Sequence, residues 1–161
     1  MKNLKIWSLA LALLVAVTGC KPAAEDSAET VPFNPIATAQ LAEKMECAWQ
    51  LVEYAGEPAQ FDIYIDFKGG NFELYQRLYS YEYEKLTGTY ILDGDILTGV
   101  YSNDVEWNNE YTVQIAENPL RLRLTEVNGT YAEYVAIDEV PAHVKGQAVE
   151  AKSTRASEYF L

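Results

Sequence analysis

Two cysteines, Cys20 and Cys47, and one histidine, His143, are the soft nucleophiles and metal ligands of this chain of 161 residues. A single imidazole does not hold a metal ion unaided, and neither cysteine stands at ligand spacing from it or from the other. The 24 acidic residues are scattered, and no pair is placed to share a proton as general acid and base. Asp93-Gly94-Asp95 has the look of a calcium loop, but the twelve-residue pattern with its closing Glu is missing. The residues therefore predict neither a catalytic centre nor a metal or cofactor, and the chain reads as a protein that is not an enzyme. What is left is a thiol at the end of an apolar leader, and an interior.

The leader comes first. Lys2 and Lys5 open it, Ile6 to Val17 is apolar, and Val17-Thr18-Gly19-Cys20 closes it. That is the build of a signal peptide, too short for a comfortable membrane span. Its ending resembles the lipobox of bacterial lipoproteins: an aliphatic residue, a small one, Gly, then Cys. The resemblance implies removal of residues 1–19 and acylation of Cys20, with chains such as palmitate. Lys21 after the Cys, by analogy with lipoprotein sorting, argues against retention in the inner membrane. Several acyl chains on Cys20 anchor durably where one anchors marginally, so the bilayer is the first expected partner, and the outer membrane of a Gram-negative envelope the expected address.

Without residues 1–19 the balance is 10 basic against 24 acidic residues, a net charge of about −14. Such a surface opposes nucleic acid and favours solubility at the end of a tether. Cys47 then lacks an intramolecular partner and is expected to be buried at the start of a strand. Residues 20–36, small, acidic and carrying three prolines, read as a flexible linker after the acylated Cys20. Within them Asp26-Ser27-Ala28 matches the O-glycosylation acceptor of some gut-type bacteria, which makes Ser27 a candidate. Asn128-Gly129-Thr130 has the form of an N-glycosylation acceptor, but a hairpin turn explains it more simply.

These residues need a scaffold, and the pattern from Cys47 onward supplies one. Thr38–Met45 has helical composition, with Thr38 as a candidate N-cap. After it, eight runs alternate with period two: 47–54, 61–68, 71–79, 85–92, 95–102, 110–116, 120–127 and 130–137. Turn chemistry joins them at Gly56-Glu57-Pro58, Gly69-Gly70, Asp93-Gly94, Glu117-Asn118-Pro119 and Asn128-Gly129. Asp93-Gly94 as the central pair of a type I′ turn would set Tyr90 opposite Leu97 and Gly88 opposite Gly99. Alternation turns Trp49, Leu51, Phe61, Ile63, Ile65, Phe67, Phe72, Leu74, Leu78, Tyr90, Leu97, Tyr101, Tyr111, Val113, Leu122 and Leu124 to one face, with Glu53 and Gln76 among them. In 130–137 both faces carry apolar groups, and the register stays open. No later helix is long enough to cover that face, so the meander must close on itself or fold into two layers. The prediction is all-β: an eight-stranded antiparallel up-and-down barrel over 37–141, preceded by a short helix, with a sandwich as the alternative. Residues 138–144 suggest a turn of helix on the rim, and 142–161 a polar C-terminal tail whose Tyr159-Phe160-Leu161 could dock.

Trp49-Gln50-Leu51-Val52, Ile65-Asp66-Phe67-Lys68, Gly70-Asn71-Phe72, Leu74-Tyr75, Thr87-Gly88-Thr89-Tyr90, Leu97-Thr98-Gly99, Trp107 and Tyr111-Thr112-Val113 together resemble the lipocalin-like, calycin-type lipoproteins of Gram-negative bacteria. Cys47-Ala48-Trp49 keeps the Trp of the lipocalin Gly-x-Trp and replaces the Gly. The resemblance implies a barrel that takes a ligand or a partner. Polar groups in an apolar interior make Trp49, Glu53, Gln76, Tyr90, Tyr101 and Tyr111 the ligand-binding candidates, and a barrel filled by its own side chains is the competing expectation. Two functions follow: carriage of a small hydrophobic or amphipathic molecule, or a protein-interaction module (an envelope assembly factor or hydrolase inhibitor) using loops such as Tyr79-Ser80-Tyr81-Glu82-Tyr83.

Overall fold

The computed structural model describes residues 31–151 and 159–161. A 3₁₀ turn (Thr38–Gln40) runs into helix α1 (Leu41–Met45), and nine strands follow: β1 (Ala48–Tyr54), β2 (Glu57–Pro58), β3 (Asp62–Lys68), β4 (Asn71–Arg77), β5 (Glu84–Asp93), β6 (Ile96–Tyr101), β7 (Tyr111–Ala116), β8 (Arg121–Glu126) and β9 (Tyr131–Ile137). Helix α2 (Ala142–Gln147) and strand β10 (Val149–Glu150) come last. The order β5-β4-β3-β1-β9-β8-β7-β6, completed by pairing of β6 with β5, is a closed ring of eight strands. Every pair in that ring is antiparallel. It is an up-and-down barrel, and closure leaves no long edge to be covered. The short β2 extends β1 at one rim, and β10 pairs in parallel with the first residues of β5.

The apolar alternation decides what lies inside. Trp49, Ile63, Ile65, Leu74, Leu97, Ile115, Leu122, Leu124 and Tyr134 are fully enclosed in one core. Phe67 and Phe72 join them, with Phe67 edge-on to Tyr90 at 5.0 Å and Phe72 edge-on to Trp107 at 5.1 Å. Helix α1 seals one end of the barrel with Leu41 and Met45, and the Trp49 indole N–H donates to the Met45 carbonyl at 2.9 Å. Burying side chains of that size contributes roughly 1.5–3 kcal/mol each, which is what holds so small a helix in place.

The structure corrects several expectations. The β5–β6 turn is centred on Gly94-Asp95, since Asp93 pairs with Ile96 and only Gly94 of the two has positive φ. One glycine at the first central position suits a type II′ turn, and the register moves by two, which keeps every side chain on its expected face. Tyr90 now faces Gly99 and Gly88 faces Tyr101. Neither glycine meets the other: a Cβ on Gly99 would lie 2.3 Å from the Trp107 ring, and one on Gly88 2.6 Å from Phe72. Thr38 does not cap the first helical turn, because Ala37 takes that position. The end of the stretch 20–36 that lies within the described residues touches the barrel. Within it, Ile36 N–H donates to Ile115 and Pro35 bridges Ala116, and Phe33 lies 4.2 Å from the Arg123 guanidinium. Helix α2 sits on the outer wall rather than the rim, with Val140 and Val144 packed against Ala48, Tyr64, Tyr75 and Tyr83.

Candidate functional site

The barrel end opposite α1 is where the inward tyrosines gather. Tyr54 ends β1, Tyr101 ends β6, Tyr111 begins β7 and Tyr134 lies within β9. All four belong to the interior cluster. Burial, the largest cause in each case, pushes all four phenols above the ordinary tyrosine range, Tyr111 to about 12. At neutral pH they are therefore uncharged hydrogen-bonding groups in an apolar wall.

A segment of the chain's own C-terminal tail lies among them. Tyr159 and Leu161 are buried, and Phe160 packs against the same core. The Tyr159 ring stands 4.6 Å from that of Tyr101, and Phe160 5.5 Å from Tyr54. Polar contacts fix the segment as well. The Tyr101 hydroxyl donates to a main-chain oxygen of Leu161 at 2.8 Å, and the Asn108 amide donates to the Tyr159 carbonyl at 3.2 Å and to that Leu161 oxygen at 3.3 Å. The Phe160 N–H donates to Gln76 Oε1 at 3.0 Å, and Asn103 donates to the Tyr159 hydroxyl at 3.2 Å. Gln76 is held for this by its own amide, which donates to Glu84 at 3.1 Å. A cleft of ≈ 190 Å³ beside Tyr101, Leu86 and Tyr159 opens between this segment and the wall.

Of the six ligand-binding candidates, the structure brings Gln76, Tyr101 and Tyr111 to this mouth. Tyr90 and Trp49 lie toward the other end: Tyr90 N–H bonds Gly70, and Trp49 is committed to α1. Glu53 is corrected outright. The β1–β9 register slips between Leu51 and Glu53, a bulge at Val52 that puts two residues against one. Beyond it Tyr54 faces inward and Glu53 outward, where its carboxylate accepts from the Tyr131 hydroxyl. That outer wall is a separate polar network, in which the buried Glu133 takes Arg121 at 2.9 Å and Arg123 at 2.7 Å. Cys20 and Ser27 lie outside the described residues.

The residues that the sequence does not reveal are Tyr54, Asn103, Asn108 and Tyr134; for Tyr159–Leu161 it suggests docking but not the place. Tyr134 matters most. It is 0% exposed, and among the described residues its hydroxyl has no hydrogen-bond partner, as is also true of the buried Trp107 indole N–H.

Elsewhere the surface offers different chemistry. Tyr79 and Tyr81 are 88% and 100% exposed at a loop tip, while Tyr83 of the same loop is buried under α2. His143 is exposed on α2. Among the described residues there is no cluster of His, Cys, Asp and Glu that could hold a metal ion, and no helix long and apolar enough to cross a membrane. The Cys47 thiol is half-buried, and burial followed by the nearby Asp66 charge pushes its pKa to about 11.

No family profile matches the sequence, and no curated protein matches it. Among solved structures, a lipocalin-like protein from Bacteroides uniformis is similar to 58% of this chain over 99% of its own length, at 20% identity and a TM-score of 0.45.

Proposed function

We propose that this chain is a membrane-tethered binding protein that holds a small hydrophobic or amphipathic molecule at the tyrosine-lined end of its barrel. The observation that carries the reading is the occupied mouth: aromatic walls and uncharged donors there already hold a three-residue guest that belongs to no strand. Ligand sites are apolar concavities with a few placed polar groups, and Tyr101, Tyr111, Gln76 and Asn108 on a wall of rings answer that description. The tether is part of the proposal and rests on the Val17-Thr18-Gly19-Cys20 ending. In this reading acylated Cys20 anchors the domain in the envelope and the acidic surface keeps it off anionic lipid headgroups.

Native mass spectrometry of protein purified from its own envelope tests both halves. The expected spectrum shows acyl mass on Cys20 and a co-purifying small molecule of lipid size. A bare thiol at position 20 would overturn the tether. A stoichiometric protein partner with no small molecule would replace carriage by an interaction role, for which the exposed Tyr79 and Tyr81 are the natural surface.

A further inference from the structure

Among the described residues, the three large apolar side chains most open to solvent stand at one end of the barrel. Tyr79 is 88% exposed, Tyr81 100% and Val127 89%; the first two follow β4 and the third follows β8. Those two strands run in the same direction, so both loops rim the tyrosine-lined mouth, and Tyr54 lies within electrostatic reach of both Glu126 and Tyr79. The longer loop is built to hold its tips outward. Its root, Tyr83, is buried under α2, with the Arg77 guanidinium 4.8 Å from its ring centre. Ser80 closes the tip: its hydroxyl donates to the Glu82 carbonyl at 2.8 Å and accepts from the Glu82 N–H at 3.2 Å. Tyr79 and Tyr81 are therefore convex points on a closed turn. An apolar ring with a polar tip on a convex point suits the boundary between water and hydrocarbon, where tyrosine concentrates.

Charge narrows the choice of surface. Glu57, Glu82 and Glu126 share this rim, and none is in an ion pair among the described residues. The cations nearby, Arg77 and Lys85, are bound to Asp62 and Glu73. Such a rim is repelled by anionic headgroups and attracted by the ammonium of a zwitterionic one, which also stacks on tyrosine faces. The chain's own tether has the reach. Pro32 accepts from Arg121 at 2.9 Å where β8 begins, and Val127 lies just past the end of that strand of 6 residues, about 20 Å away. Fully extended, the run from Cys20 to Pro32 spans about 40 Å.

We infer that the rim carrying Tyr79, Tyr81 and Val127 is a docking surface for a lipid bilayer, and that its partner is a zwitterionic interface with ammonium headgroups. The inference rests on the tether and carriage readings above. The tether keeps a bilayer within reach of the rim, and rim contact lets an apolar guest pass between membrane and mouth without crossing water.

Paramagnetic broadening of the labelled full chain on nanodiscs of phosphatidylethanolamine and phosphatidylcholine, carrying a headgroup nitroxide, tests the surface. The Tyr81 and Val127 amides are expected to broaden at least about fivefold more than that of Gly94, which lies past the far end of β5. Equal broadening, or stronger broadening at Gly94, overturns the docking surface. In Tyr79→Ser/Tyr81→Ser the difference is expected to vanish, and a difference that persists overturns the role of the rings. On phosphatidylglycerol it is expected to shrink, and a larger one overturns the headgroup class. N-phenyl-1-naphthylamine, an apolar fluorophore, keeps the surface apart from carriage. The double variant should bind it with unchanged affinity in solution, yet take it from loaded vesicles at least about fivefold more slowly. If no form of the chain binds the fluorophore, carriage is refuted and the broadening still decides the surface. Tyr81→p-benzoylphenylalanine, irradiated in the native envelope, is expected to give lipid adducts; protein adducts alone would assign the rim to a protein partner and overturn the inference. Should the double variant fail to fold, the comparison of Tyr81 and Val127 with Gly94 in the unmodified chain decides alone.

Discussion

Tyr101→Phe and Tyr134→Phe remove the same atom from the same kind of ring inside the same barrel, yet the structure gives them opposite signs. Tyr101 loses a 2.8 Å hydrogen bond to a main-chain oxygen of Leu161, which among the described residues keeps Asn108 at 3.3 Å. A net hydrogen bond contributes about 0.5–1.5 kcal/mol, so that variant should be destabilised by about 1 kcal/mol. Tyr134, at 0% exposure, has no hydrogen-bond partner to lose among the described residues. Removing a buried, unsatisfied hydroxyl recovers a desolvation cost of about 1–3 kcal/mol, so that variant should be more stable by about 1–2 kcal/mol. Packing changes are alike in the two and largely cancel. In urea, with m of about 1–3 kcal/mol/M, the midpoints of the two variants should separate by about 1–2 M and fall on either side of the parent. Both variants moving the same way, or Tyr134→Phe losing stability, would refute the assignment of which hydroxyl is bonded and which is bare.

The turn chemistry and the bulge give further tests. Gly99→Ala should cost about 1–3 kcal/mol in the same denaturation assay, because the new methyl would lie 2.3 Å from the Trp107 ring and overpack the core. Glu53→Ala should leave binding of N-phenyl-1-naphthylamine unchanged in a fluorescence titration, since the bulge at Val52 turns that carboxylate to the outer wall. Cys47, with its pKa near 11, should react slowly with iodoacetamide at pH 8, where about one thiol in a thousand is ionised, and rapidly once the chain is unfolded. Its raised pKa also fixes a sign. The protonated thiol's contribution is complete below the unfolded value near 9 and is lost as pH rises toward 11, where the tyrosines add to the same trend. Urea midpoints at pH 8, 10 and 11 should therefore fall, with the loss below pH 10 smaller in Cys47→Ala.

The scaffold is legible because the signals that specify it are local and repeated. Phe61, Ile63, Ile65 and Phe67, or Leu122 and Leu124, tell inside from outside by alternation alone, and five of the strand runs end in recognisable turn chemistry. The lack of any helix able to cover a sheet leaves closure or a two-layer sandwich, and the structure closes. The mouth is less legible, for three physical reasons. One extra residue at Val52 inverts the faces beyond it, so Glu53 and Tyr54 exchange places, and nothing in Leu51-Val52-Glu53-Tyr54 announces a bulge. In β9, apolar residues stand on both sides because Val135 and Ile137 face outward, so Tyr134 cannot be assigned from pattern. The last three residues are hydrophobic without period or context, and their place depends on contacts with Gln76, Tyr101 and Asn108, between 51 and 84 positions away in the chain.

The binding claim comes down to where a guest sits. The direct measurement is an isotope-filtered NOESY spectrum of the labelled full chain saturated with N-phenyl-1-naphthylamine. Contacts from the naphthyl protons to the rings of Tyr54, Tyr101 and Tyr134 are predicted. Contacts confined to Tyr79 and Tyr81 would place the guest on the outer loop and contradict the account.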